Sequence, residues 1–158
     1  MDAIEIFPWS DNFNTGLATI DEQHRKLVQL LNRLASHVVL HTGQLSAEGL
    51  LDELAEYTVY HFRTEEAIWN TYLAGDALES AHVRTHGGFV DKVLELKADT
   101  SRQADSLLSD VLAFLAHWLA SHILQTDRHM SLVVQAVQSG ETLEQAKLHA
   151  NREMNGAT

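Results

Sequence analysis

His61 and Glu65 stand four residues apart in the stretch Tyr60-His61-Phe62-Arg63-Thr64-Glu65-Glu66. On an α-helix that spacing stacks an imidazole and a carboxylate one turn apart on one face. Turned to solvent, such a pair is a weak surface contact. Turned inward, it is a pair of metal ligands. The company it keeps favours the second reading. His24, the pair His82 and His86 at the same spacing, and His122 with Asp127 lie in other stretches of helical pattern. Five imidazoles and two carboxylates directed into one interior carry too many acceptors and too few donors, and burying them unsatisfied costs several kcal/mol. Seven ligands exceed what one tetrahedral zinc takes and suit two ions sharing carboxylates. Mixed nitrogen and oxygen ligation with an open position favours iron, although Mn, Co or Zn can use the same groups. One spacing does not fit: residues 122 and 127 point about 140° apart on an ideal helix, so periodicity alone does not pair them.

The elements that must carry these residues are helices. Apolar positions at steps of three and four predict a first helix from Ile20 to Leu40, with Leu27, Leu30, Leu31, Leu34 and Val38 as its stripe and His24 one turn before it; Thr19 or Asp21 is its candidate cap. A second spans Ser46 to Tyr72, a third Ala77 to Lys97, and a fourth, apolar on several sides, Ser106 to Val137. Gly87-Gly88 weaken the third helix by roughly 1 kcal/mol each relative to alanine; close approach of a neighbouring backbone is one reason to keep them. Asp99 to Asp105 reads as a polar loop. After Ser139-Gly140 a polar, lightly amphipathic helix is expected over Glu141 to Asn155, with too little apolar surface to dock firmly. Residues 1–18 read as an irregular arm anchored by Phe7-Pro8-Trp9 and Phe13. His37, His41, His117 and His129 are read as non-ligands. Four long helices with short connections point to an all-α, antiparallel up-down bundle.

Composition narrows the function. At 158 residues one domain is expected, able to bury about two-thirds of its unfolded surface. A formal charge of -11 argues against nucleic acid or an anionic membrane as the main partner. The absence of cysteine excludes disulfides, thiolate zinc sites and the usual iron–sulfur clusters, and fits a reducing cytoplasm. The start lacks the pattern of a signal peptide, and the most apolar run, Leu107 to Leu124, is interrupted by Asp110, His117 and His122.

The ordered set of motifs resembles the hemerythrin family in its bacterial form, over about residues 5–130: Phe7-Pro8-Trp9, Asp21-Glu22-Gln23-His24, His61-Phe62-Arg63-Thr64-Glu65-Glu66, His82 to His86 to Phe89, and Trp118-Leu119-Ala120-Ser121-His122-Ile123 to Asp127. The resemblance implies a di-iron centre. His82, His86 and His122 would complete one iron, His24 and His61 would hold the other, and Glu65, Asp127 and an oxo or hydroxo group would bridge them. Dioxygen would bind end-on at the open position of the second iron, taking up two electrons and a proton. Nitric oxide and azide-like anions are further candidates for that seat. Leu27, Phe62, Trp118, Leu119 and Ile123 would wall the pocket. Trp69 joins them as a position where the family often has methionine. The interval from Glu65 to His82 is longer than usual and lacks the common Tyr-Pro pair.

Three roles follow. The first is reversible dioxygen binding without turnover, as the sensory domain of a cytoplasmic signalling protein or as a stand-alone carrier. In the sensory case residues 1–140 form the di-iron bundle, and 141–158 begin a connector to a signalling domain or support a homodimer. The second is a di-iron enzyme: an oxidase, peroxidase or nitric oxide reductase. Glu79-x-x-His82 and Asp21-x-x-His24 mimic the ferritin-like ligand scheme, but that scheme leaves His61, His86 and His122 unused. The third is a metal-free helical interaction module. For the metal-binding readings, loading is expected to weaken below about pH 6 as imidazoles protonate.

Overall fold

The computed structural model describes residues 7, 9–40, 47–98 and 104–156. Pro8, His41 and the first five residues of the polar stretch 99–105 lie outside them; Ala104 and Asp105 are already helical. All regular structure among the described residues is helical. The four expected rods are α1 (Ala18–Leu40), α2 (Ala47–Leu73), α3 (Ala77–Ala98) and α4 (Ala104–Ser121). The last does not run on as plain α-helix. A π-helical turn, His122–Asp127, follows α4, and α5 (Arg128–Gln138) follows that turn. After a left-handed Gly140, φ 105°, α6 (Leu143–Gly156) turns back.

Two apolar clusters form the interior. The first fills the bundle with Leu27, Leu31 and Leu34 of α1, Leu54 of α2, Phe89 of α3, and Leu115 and Leu119 of α4. The second joins Trp69 and Leu73 of α2 to Met130, Val133 and Val134 of α5 and to Ala146 and Ala150 of α6. The last helix therefore docks more firmly than its composition suggests. Its two small residues let the helix lie close over α5, and the large apolar surface is supplied by the partners; Ala146 and Ala150 are 0% and 1% exposed. Lys147 reaches Asp76 at the start of α3 and ties α6 down, Nζ to Oδ2 2.5 Å.

The arm is pinned at both ends of its described part. Phe7, Trp9 and Phe13 pack on the first cluster, with Phe7 and Trp9 ring centroids 5.0 and 5.4 Å from Phe13. Asp21 turns back to accept hydrogen bonds from the Thr15 amide and hydroxyl, at 2.6 and 2.7 Å, and from the Gly16 amide at 3.2 Å. Gly16 has φ 95°, and a Cβ there would sit 2.7 Å from the Gln135 side chain of α5. Gln135 in turn donates to the Thr15 carbonyl. At Gly87-Gly88, where close approach of a neighbouring backbone is one reason for the pair, none is found among the described residues: a Cβ on either would meet nothing within 4 Å. Both lie on the exposed side of α3.

Candidate metal centre

Each helix that contributes to the site places its polar residues between apolar ones belonging to the two clusters. On α2, His61 and Glu65 lie between Leu54 and Trp69; on the α4–α5 rod, His122 and Asp127 lie between Leu119 and Met130. On α3, His82 and His86 precede Phe89, and on α1 His24 precedes Leu27. Stacking the helices with their apolar stripes together then brings the polar groups to one level. All seven side chains are buried: His24, Glu65 and Asp127 are 0% exposed, and His122, the most open, 4%.

The seven form two groups. Glu65, His82, His86, His122 and Asp127 converge in one; His24, His61, Glu65 and Asp127 converge in the other. Glu65 and Asp127 belong to both, and each divides its two oxygens between them. Glu65 Oε1 faces His61 Nε2 at 2.9 Å and His24 Nε2 at 3.4 Å, while Oε2 faces His86 Nε2 at 3.0 Å and His82 Nε2 at 3.3 Å. Asp127 Oδ2 faces His24 Nε2 at 3.0 Å, while Oδ1 faces His122 Nε2 at 2.9 Å and His82 Nε2 at 3.1 Å. This is the disposition of carboxylates that bridge two centres.

The donor set fits cations better than internal hydrogen bonding. The buried Nε2 of His24, Oε1 of Glu65 and both oxygens of Asp127 approach other polar atoms yet none is aligned for a hydrogen bond. His86 Nε2 and His122 Nε2 face each other at 3.2 Å, two nitrogens that a single proton or a cation must hold together. The outer nitrogens are set differently. His61 Nδ1 meets Gln23 Oε1 at 2.8 Å, and His86 Nδ1 meets Glu66 Oε1 at 3.0 Å. Gln23 and Glu66 can only accept there, so Nδ1 carries the proton and Nε2 turns its lone pair to the centre, as ligating histidines require. Gln23 is itself held by its Nε2 donating to Thr64 Oγ1.

Burial opposes charge on His24 and His82, but the Asp127 and Glu65 carboxylates outweigh it and hold both imidazoles up to about 9. Burial likewise pushes Glu65 and Asp127 upward. The facing imidazoles, His61 and His24 for Glu65 and His122 and His24 for Asp127, override it and keep both well below the usual carboxylate range.

Aromatic rings press on one side of the cluster. Phe62 lies parallel to His86 at 3.7 Å between centroids, and Trp118 parallel to His122 at 4.2 Å. Phe89 packs on both Phe62 and Trp118. Leu27, Leu119 and Ile123 are buried in the same cluster. This wall therefore touches the three-histidine group most closely. Trp69 is elsewhere: it is fully buried in the second cluster, behind His82 at 5.3 Å between centroids, with its indole nitrogen unpartnered among the described residues. His117 is exposed and His129 meets Asn151 of α6; neither belongs to the two groups.

Gln23 and Glu66 had no role in the sequence reading. Their signal was adjacency: each neighbours a ligand candidate in sequence, about 100° round the helix from it, which suits a group that reaches the next helix.

Residues 15–131 match the family profile described as the hemerythrin HHE cation binding domain. The chain is similar to a bacteriohemerythrin of Stenotrophomonas maltophilia (strain R551-3), 36% identical over 125 residues and 78% of each chain. It is also similar to a bacteriohemerythrin of Clostridium acetobutylicum, 30% identical over 129 residues, 78% of this chain and 97% of that one. A hemerythrin-like protein of Naegleria gruberi is 31% identical over 121 residues, 77% of this chain and 87% of that one.

Proposed function

Because this chain belongs to the hemerythrin HHE cation-binding family, we propose that its buried cluster holds two non-haem irons and binds dioxygen reversibly there. His82, His86 and His122 would hold one ion, His24 and His61 the other, and Glu65 and Asp127 would serve both. Two ferrous ions held there would supply the redox chemistry for reversible dioxygen binding. The chain's own residues do the rest. Gln23 and Glu66 fix the tautomers of His61 and His86 through their Nδ1 atoms. Leu27, Phe62, Trp118, Leu119 and Ile123 keep water and protons away from the centre, which favours release of dioxygen unchanged over reaction. Trp69 seals the opposite side behind His82. The observation that carries this reading is the division of each carboxylate's two oxygens between two sets of imidazoles.

The role is that of an oxygen or redox sensor, with residues 1–140 as the binding unit and 141–158 as the link to an output. Support comes from packing. Asp127 ends the π turn and leads directly into α5; α5 and Trp69 together carry α6, so a change at the centre has a continuous solid path to the last helix. The test is direct. Purified chain should contain two irons and, when reduced, show an oxygenated absorption band that disappears under vacuum and returns with oxygen. Absence of tightly held iron, or steady consumption of reductant and oxygen in place of a stable band, would overturn the proposal. His61→Ala should lower iron content sharply; full content in that variant contradicts the assignment.

A further inference from the structure

Away from the metal centre, a groove of about 410 Å³ runs between α2 and α3 over a floor made by Leu115 of α4. Its walls are apolar: Leu51, Leu54 and Val59 on α2, Val90 and Val93 on α3, with Phe89 closing one end. From position 51 to position 63 α2 rises about 18 Å, so the groove is a long apolar trough that an extended hydrocarbon chain can follow.

The polar groups on the rim are unequal. Lys97, at the far end, is committed to Asp52, Nζ to Oδ1 2.7 Å. Arg63, at the Phe89 end, lines the groove and makes no hydrogen bond or ion pair among the described residues. Glu56 lies two turns back from Arg63 on the same lip and repels an anion everywhere except at the Arg63 end. On a chain of net charge -11, an uncommitted guanidinium at the mouth of an elongated apolar groove selects a carboxylate head.

From this we infer that the α2–α3 groove binds a single-chain monocarboxylate of the fatty-acid class. Its tail lies along Leu51, Leu54 and Val93, and its carboxylate rests on Arg63. The inference is independent of what the metal centre does. An occupant would touch Phe89, whose ring lies 4.3 Å from that of Trp118, so binding reports through indole fluorescence.

Dodecanoate, kept below its micellar concentration, is titrated into the full-length chain and followed by tryptophan fluorescence and calorimetry. One saturable site per chain is expected. Arg63→Gln should weaken dodecanoate about tenfold and leave dodecanol unchanged, and dodecyltrimethylammonium should bind more weakly than either. Val93→Trp should fill the channel and abolish binding of both; if that variant misfolds, competition between dodecanol and dodecanoate in the wild-type chain makes the same decision. Lack of saturable binding, lack of competition, or an Arg63→Gln variant that binds dodecanoate normally would overturn the inference. So would a wild-type dimer that dodecanoate does not split but Leu94→Glu does, Leu94 being an exposed residue of the groove's lining, since the groove would then be covered by a second copy.

Discussion

His122 and Asp127 meet at 2.9 Å across five residues of chain because the helix between them is π, not α. A π turn closes its hydrogen bonds five residues on, so the fifth residue returns to the face that the fourth occupies in an α-helix. The pair that 3.6-residue periodicity sets about 140° apart is thereby stacked. Deleting the exposed Gln125 should convert the segment to ordinary α-helix with the pair at four-residue spacing and should leave metal loading largely intact. Inserting alanine after Gln125 should rotate Asp127 away and cut bound iron to less than half. Iron quantification on both variants, with circular dichroism to verify helix content, checks the pair of outcomes.

Removing one shared carboxylate should cost more than one ligand. In Glu65→Gln both cation positions lose charge at once, and in the metal-free chain His24 and His82 lose a partner that holds their protons. Breaking a buried pair costs about 3–5 kcal/mol. Glu65→Gln and Asp127→Asn should therefore show both low iron content and a lower melting temperature after chelation. Glu66→Gln, which leaves an acceptor facing His86 Nδ1, should retain iron.

The pH dependence follows from the raised imidazoles and lowered carboxylates. His24 and His82, held up to about 9, stabilise the metal-free fold fully below their unfolded value of about 6.5. That contribution is lost as pH rises through about 9. Glu65 and Asp127, held low, stabilise it above the ordinary carboxylate range and lose that contribution on acidification. The chelated chain should thus melt highest between about pH 5 and 6.5 and lower at pH 9. Metal must displace these protons, so affinity should keep rising up to about pH 9, well beyond the pH 6 limit expected of unperturbed imidazoles. Calorimetric metal titration in buffers of different ionisation enthalpy counts the protons released.

Opening the aromatic wall should speed loss of the oxygenated form. Phe62→Ala removes the ring stacked on His86 and should cost about 3–5 kcal/mol as a core truncation. Autoxidation followed optically should accelerate several-fold, whereas Trp69→Phe, on the far side of His82, should change it less.

Cutting the chain after Gly140 would expose Trp69, Leu73, Met130, Val133 and Val134 together. The shortened protein should melt several degrees lower, and Ala146→Glu should reproduce the effect, because a charge would be forced into that cluster. An unchanged melting temperature in both would show that α6 adds nothing to the fold. If the last helix also links the centre to an output, its protease susceptibility should differ between oxygenated and reduced states.

How much of this was readable beforehand depended on whether the signal was local. The four rods and their inward stripes followed from apolar spacing at steps of three and four. The convergence of His24, His61 and Glu65, His82 and His86 followed from those same stripes. The π turn did not, because no residue type marks a change of helical period and Asp127 looks misplaced on an α-helix. The docking of α6 was hidden for another reason: Ala146 and Ala150 signal little by themselves, and the apolar surface they complete lies on α2 and α5. Gly87-Gly88 allowed a close backbone approach, but none is found among the described residues, and nothing in their packing explains the pair.

The polar layer lies between two separately built apolar clusters. With polar groups in place of apolar packing at that seam, each half has its own interior, and the two can melt at different temperatures. A pair of cations held by side chains from α1, α2, α3 and the α4–α5 rod would act as a rivet through the seam and merge two transitions into one. Calorimetric traces before and after chelation would then differ in the number of peaks as well as in their position.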